Sequence, residues 1–270
     1  MTERLSPALS STAVGPSDAA RRIVFLHGLF GRGKNFTRIA SGLAPEARCL
    51  LVDLPNHGQS EWTEHVDYRQ MADAVAAHLR EGFAAEGPVD VVGHSMGGKV
   101  AMVLALRHPE LVRRLVVVDI SPVAAEESRG EFEHLLGALA EVDLGSLQRR
   151  TDAGRQLREK IPEDGVRGFL LQNLRRDDAE GFRWEPNLRL LRAELDVVMG
   201  FPDAEGARYE GPVLWIAGGS SDYVSREDLP AMRQLFPKVR RMTVHGAGHW
   251  VHAEKPDEVI AALRSFLFAG

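Results

Sequence analysis

Val89-Asp90-Val91-Val92-Gly93-His94-Ser95-Met96-Gly97-Gly98-Lys99-Val100-Ala101-Met102 is the stretch from which the rest of the chain is read. An apolar run short enough for a buried strand ends at Gly93, and a helical pattern starts right after Ser95. Gly93 and Gly97 flank Ser95 as Gly-x-Ser-x-Gly. A strand that becomes a helix within so few residues needs a sharp, strained turn, in which side chains at the flanking positions would collide with their neighbours. Such a turn lifts the Ser95 hydroxyl clear of the sheet's carboxyl edge. It also leaves the Met96 N–H at a helix N-terminus, where an oxyanion is stabilised. The short string alone is weak evidence, and the strand before it and the helix after it give it weight. Ser95 is read as a nucleophile rather than as part of a turn that only packs a helix close to a strand.

Working outward, residues 22–27 and 48–53 are short, nearly continuous apolar runs of the kind expected for strands covered on both faces. A helix is expected from the Gly33 loop through about Ala44, and another from Tyr68 to Phe83, where Met71, Val75 and Leu79 recur at helical spacing. Residues 55–60 form a breaker-rich loop between them. The helix after Ser95 runs to about Arg107, where His108-Pro109 stops it, and residues 115–120 read as a further strand. From 123 to 205 no run reads as a strand. Charge density rises there, and helices are expected at 131–139, 153–160, 165–173 and 188–198. Strands return at 213–217 and 241–244, before a last helix over 256–268. The organisation is therefore a flexible lead-in with at most one short strand (1–20), a first part of the core (21–122), a helical cap (123–205) and the rest of the core (206–270). The fold class is α/β: a mostly parallel sheet flanked by helices, with its chemistry outside the carboxyl ends of the strands.

The bulk composition narrows the function classes. With 270 residues, 44% hydrophobic, and a net charge of −5, the chain is an ordinary globular α/β sequence without the basic footprint of a nucleic-acid binder. The lone Cys49 leaves no internal disulfide framework and suits a reducing compartment. Its place in Arg48-Cys49-Leu50-Leu51-Val52 reads as core packing. No apolar run is long enough to span a bilayer, and the first twenty residues lack the apolar region of a secretory signal, so the cytoplasm is expected.

The rule that chemistry lies at the carboxyl ends sorts the remaining polar residues. His249, in Gly246-Ala247-Gly248-His249-Trp250, follows the last strand on a loop that glycines let bend back toward Ser95. A serine hydroxyl is a poor nucleophile until an imidazole takes its proton, and His249 is the expected base, with His245 and His252 in reserve. His27-Gly28 ends the first strong strand, and the N–H of Leu29 is expected to face that of Met96 across an oxyanion; Phe30 takes the role if the loop is rotated. The alternative is a turn in which Gly28 only supplies an unusual backbone angle. His27 and His94 read as structural. Asp53 and His57 are metal-capable types without partner spacing, so they are read as loop hydrogen-bonders and no metal site is expected. Lys99, about a turn into the helix after Ser95, is in reach of a carbonyl or an acidic side chain, and a structural ion pair is the preferred reading. Trp250 and Phe30 are candidate substrate contacts.

Together His27-Gly28-Leu29, Asp53…Gly58-Gln59-Ser60, Gly93-His94-Ser95-Met96-Gly97-Gly98 and Gly248-His249 resemble the α/β-hydrolase superfamily, from residue 21 onward. Finer strings, His27-Gly28-Leu29-Phe30-Gly31, Gly97-Gly98-Lys99, Asp119-Ile120-Ser121-Pro122 and Gly248-His249-Trp250-Val251-His252-Ala253-Glu254-Lys255-Pro256, resemble its branch of small bacterial carboxylesterases related to a mitochondrial abhydrolase-domain protein. The resemblance implies an eight-stranded core in most members, with a helical cap after the sixth strand. It implies no cofactor. The acid that orients His249 has two candidates. Asp222 comes one residue late for the usual position after the seventh strand, where Ser221 stands. Asp119 closes the preceding strand, and the branch implies that it is the acid, with Ser221 as an auxiliary partner of the histidine.

The expected function is a serine carboxylic-ester hydrolase acting through an acyl-enzyme on small short- to medium-chain esters, with thioesters as a further substrate class. The apolar cap residues Phe132, Leu135, Leu136, Phe169, Leu170 and Trp184 are expected to roof its pocket. A C–C hydrolase or perhydrolase would use the same triad, and a non-catalytic ligand receptor is the rival outside enzymes. Dehalogenases and epoxide hydrolases of this fold need a carboxylate where Ser95 stands.

Overall fold

Residues 6–125, 128–177 and 181–269 are described in the structure, a computed structural model. Its strands are β1 (Ser11–Val14), β2 (Arg21–Leu26), β3 (Ala47–Val52), β4 (Val89–His94), β5 (Val112–Val118), β6 (Leu174–Asp177), β7 (Gly181–Trp184), β8 (Val213–Gly218) and β9 (Val239–Val244). The first five and last two form one sheet in the order β1-β3-β2-β4-β5-β8-β9, parallel throughout except for β1. The seven strands are one short of the eight that the resemblance implied. In chain order the strand before the segment 123–205 is therefore the fifth. The first five residues of the expected lead-in lie outside the described residues, and β1 is its one short strand.

The apolar runs explain this order. Every residue of β4 and β8 is buried, as expected where helices cover both faces of a sheet. The outer strands β1 and β9 are half-buried or exposed along their length, except for the buried Val244 at the end of β9. Arg240 and Arg241 on β9 suit an edge that must not pair with another chain, and they hid the start of that strand from the hydrophobic pattern. The helices α1 (Thr37–Leu43), α2 (Tyr68–His78) and α3 (Met96–Arg107) connect the first half of the sheet. Asp67 caps α2 by accepting from the N–H groups of Arg69 and Gln70, and one π turn extends that helix to Phe83. On one face of the sheet α2 and α3 share a core with the inserted segment; on the other, Phe25, Ile39, Leu43 and Leu263 belong to a second core.

The inserted segment holds α4 (Arg129–Ala140), α5 (Arg150–Leu157), α6 (Asp164–Leu171), α7 (Leu188–Ala193) and α8 (Leu195–Met199). It is not strandless. β6 and β7 form an antiparallel hairpin within it, Leu174 opposite Trp184. Only that pair is buried on the two strands, and arginines fill much of the rest, so no apolar run announced them. The chain closes with α9 (Leu229–Leu235), a short α10 (Val251–Glu254) and α11 (Pro256–Leu267). No helix of the described residues is long and apolar enough to cross a membrane.

Lys99 corrects an expectation. It is buried, has no acidic partner among the described residues, and its Nζ donates instead to the carbonyls of Met199 and Gly200 at 2.7 Å and of Val198 at 3.3 Å. These are the free carbonyls at the end of α8, where the helix has no N–H groups left to give and partial negative charge collects. Tyr68 Oη donates to the same Val198 carbonyl at 2.6 Å. The helix after Ser95 is thus bonded directly to the last helix of the inserted segment. Lys99→Met keeps the packing and removes the donor, so buried carbonyls lose their partner. Urea denaturation is expected to show a loss of about 2 kcal/mol; an unchanged midpoint would contradict this role for the ammonium.

Candidate active site

The site is assembled at the carboxyl ends of β2, β4, β5, β8 and β9. Ser95 follows β4 with φ 52° and ψ −124°, a conformation rare for any residue but glycine. The glycines around it are there for space. A Cβ on Gly93 would lie 2.2 Å from the Gly97 carbonyl oxygen, and one on Gly97 would lie 2.4 Å from those of Leu26 and His27. The turn therefore sits directly on the end of β2. Gly28, on that strand's loop, faces the same squeeze: its Cβ would meet His94 Nδ1 at 2.9 Å and Ser95 Cβ at 3.0 Å. Close approach to Ser95, not an unusual angle, is what requires a glycine there.

Ser95 Oγ lies 3.0 Å from His249 Nε2, and His249 Nδ1 lies 2.8 Å from Asp119 Oδ2. Asp119 is fully buried at the end of β5 with φ 52°. Its Oδ1 accepts from the Gly218 N–H at 2.7 Å, and its Oδ2 also accepts from Ser221 Oγ. With those bonds fixing the carboxylate, Nδ1 is assigned the imidazole proton and Nε2 is left as the acceptor toward Ser95. Asp222 is exposed and lines a cavity with Tyr223. Asp228, just before α9, accepts instead from Ser225 N–H at 2.9 Å and Ser121 Oγ at 2.7 Å. Of the reserve histidines, His245 is exposed, and His252 is buried between the rings of Phe36 and His94.

The loop after β2 is held so that its carbonyls are occupied. Gly28 O accepts from Gly31 N–H at 2.9 Å and from His27 Nδ1 at 2.8 Å, and His27 Nε2 accepts from Leu54 N–H at 2.9 Å. Among the described residues, no hydrogen bond uses the N–H of Leu29, Phe30 or Met96. Those N–H groups are therefore unengaged among the described residues. Asp53 does what a loop carboxylate does, accepting from Gly33 N–H at 2.7 Å and Gln59 N–H at 3.0 Å. His94 Nε2 donates to the His249 carbonyl at 2.8 Å and so steadies the loop of His249. Cys49 is buried in the core, its thiol pushed up to about 12 by burial.

Sequence reasoning missed two neighbours. Tyr223 stacks on the imidazole of His249, centroids 3.8 Å apart and planes 23° apart. Asn173 donates Nδ2–H to the Phe30 carbonyl at 2.6 Å. Both are long-range contacts with no local pattern to betray them. The expected roof is divided: Phe169 lines a cavity of about 710 Å³ with Val166, Trp250 and His252, and Phe132 packs against Phe30 and Tyr223. Leu135, Leu136, Leu170 and Trp184 are buried in the core beneath.

Comparison with known proteins gives a consistent picture. The family model described as alpha/beta hydrolase fold matches residues 21–256. The sn-1-specific diacylglycerol lipase ABHD11 of Mus musculus is 40% identical over 252 residues, covering 91% of this chain and 80% of that protein. Esterase YbfF of Escherichia coli (strain K12) is 34% identical over 245 residues, covering 91% and 92% respectively. The solved structure of a marine microorganism esterase superposes with a TM-score of 0.90 at 30% identity, covering 97% of this chain and all of that one.

The buried histidines make a prediction about stability. Burial holds His27 and His252 down to about 4 and His57 to about 3, against an ordinary 6.5. Between those values and 6.5 the unfolded chain binds protons that the folded chain refuses. Stability is therefore full above pH 6.5 and is lost as pH falls, by roughly 1.4 kcal/mol per pH unit for each ring. Denaturant midpoints measured from pH 7 to 4.5 should fall steadily; a flat profile would contradict neutral buried rings.

Proposed function

The chain belongs to the α/β-hydrolase family, with bacterial esterases related to ABHD11, and is a hydrolase of carboxylic esters; on that premise we propose that it works through an acyl-enzyme on Ser95. His249 takes the proton of Ser95 Oγ as the oxygen attacks the acyl carbonyl. The oxyanion of the tetrahedral intermediate accepts from the N–H groups of Leu29 and Met96. His249 then gives its proton to the leaving alcohol or thiol. Water, deprotonated by the same imidazole, attacks the acyl carbon and releases the acid and Ser95. Asp119 holds the tautomer and stabilises the imidazolium. The observation that carries the reading is the unbroken chain Ser95 Oγ, His249 Nε2, His249 Nδ1, Asp119 Oδ2, with contacts of 3.0 and 2.8 Å. Ser221 donates to Asp119 rather than to His249, so its auxiliary role in this proposal runs through the acid.

Residues 123–205 act as a cap in this proposal, and the cavity beside Phe169 and Trp250 takes the acyl chain. Its volume of about 710 Å³ is in the range of small-ligand pockets. The core position of the lone cysteine fits a reducing compartment, and the cytoplasm is the assigned location.

Two measurements test this. Turnover of p-nitrophenyl butyrate should vanish in Ser95→Ala, and kcat should fall roughly 10²–10⁴-fold in Asp119→Asn with the fold intact. Asp222→Asn should stay within about tenfold of wild type, or ~1.4 kcal/mol of barrier; the reverse pattern would move the acid to the loop after β8. Across p-nitrophenyl esters from acetate to palmitate, kcat/KM should peak at short to medium chains, with an acyl-CoA and a long-chain diacylglycerol, the substrate class named for the mouse relative, as further arms. A maximum at palmitate, or activation by a lipid interface, would overturn the chain-length assignment.

A further inference from the structure

The loop that carries the proposed oxyanion donors is gripped from two sides, and only one of them is the core. From the core, Gly28 O and Gly33 N are held as described above. From the inserted segment come three further ties within six residues. Asn173 Nδ2 donates to Phe30 O at 2.6 Å, Arg32 Nη1 donates to Glu185 Oε2 at 3.1 Å, and Asn35 Nδ2 donates to Gln172 Oε1 at 2.9 Å. Phe30 is buried with φ 59°, a backbone state that a side chain of this size keeps only when its surroundings over-determine it. The bond from Asn173 falls on the carbonyl of that residue.

Asn173 is itself built to hold still. It follows α6, is buried, and its own N–H donates to Leu170 O at 3.1 Å while its carbonyl accepts from Glu185 N–H at 3.0 Å. Glu185 is buried as well, and its carboxylate binds Arg32 on the loop and Arg175 on β6 at 2.8 Å. The hairpin formed by β6 and β7 therefore closes on the loop after β2 through two neighbouring, internally braced residues.

We propose that Asn173 is a positioning residue for the oxyanion hole: with Glu185 beside it, its amide holds the Phe30 carbonyl and so pins Phe30 at its positive φ, which sets the orientation of the preceding peptide and of the donor N–H in the Leu29–Phe30 stretch. The inserted segment then contributes to transition-state stabilisation as well as covering the site. The inference rests on the acyl-enzyme reading above, and it predicts that loosening this tie weakens binding of the transition state more than binding of the ester.

The test compares wild type with Asn173→Ala and with Asn173→Asp, which keeps the shape and lacks the donor. Wild-type turnover of p-nitrophenyl butyrate that disappears in Ser95→Ala first secures the underlying reading, so failure of the reading and failure of the proposal are told apart. Both Asn173 variants should then lose about 10- to 100-fold in kcat with KM within about threefold, the signature of an interaction made in the transition state. The inhibition constant of a trifluoromethyl ketone, which forms a tetrahedral adduct, should rise by the same factor. Arg32→Met opens the second tie from the half-exposed side, and should show the same split with a smaller loss even where the Asn173 variants fold poorly. Unchanged kcat in the folded variants, or a loss carried by KM with ketone binding intact, would overturn the proposal.

Discussion

The first turn of α3 rests on the end of β2 with no side chain between them, and the site depends on that contact. Leu26 and His27 carbonyls stand where a Cβ on Gly97 would be, and the Gly97 carbonyl stands where one on Gly93 would be. Backbone thus meets backbone on both sides of Ser95. The same closeness brings Gly28 against the Ser95 side chain, so the loop after β2 and the N-terminus of α3 share a boundary. Donors from two different strands' loops can reach one small oxygen only at such a boundary. Five non-glycine residues among those described have positive φ, and Phe30, Ser95 and Asp119 are three of them. Each such position costs on the order of 1–3 kcal/mol, and persists because hydrogen bonds from neighbouring elements hold it. Ser95 N–H donates to Val118 O at 3.0 Å, and Asp119 N–H donates to Ile216 O at 2.8 Å, so the ends of β4, β5 and β8 are laced together.

That lacing explains why the carboxylate beside His249 comes from the end of β5. Asp119 is buried beside the Gly218 N–H and the Ser221 hydroxyl, and both oxygens are occupied before the imidazole is counted. A carboxylate so tied has one orientation to offer. Asp222, one residue beyond Ser221, stands exposed on the next loop. The one-residue offset that set Ser221 against Asp222 in the sequence corresponds to a hydroxyl directed at Asp119 and a carboxylate lining the adjoining cavity. Tyr223, two residues past Ser221, brings its ring flat onto His249, so this loop borders His249 as well as Asp119.

Much of the core was legible because its strands are buried on both faces and its turns need particular residues. Continuous apolar runs mark β2, β3, β4, β5 and β8, and the Gly-x-Ser-x-Gly string states a steric requirement that the glycine contacts bear out. The hairpin of β6 and β7 was illegible for the opposite reason. Its strands bury one residue pair, Leu174 with Trp184, and turn arginines outward, so neither hydrophobic period appears. Lys99 was misread because its partners are backbone carbonyls at a helix end, a group that every residue carries and no sequence pattern marks. Asn173 and Tyr223 were invisible likewise: each matters through a residue more than twenty positions away. Spacing along the chain identifies groups that share a turn, a face or a strand end; contacts between an insertion and the core belong to the fold.

The central claim is that Ser95 carries the acyl group between two half-reactions, with His249 moving the proton in each. Rapid mixing with p-nitrophenyl butyrate, acid quench and peptide mass spectrometry tests it most directly. The account predicts a butyryl increment on the peptide containing Ser95, formed at the rate of the first release of p-nitrophenol and absent in Ser95→Ala. An acyl group on another residue, or steady turnover by Ser95→Ala, would contradict it.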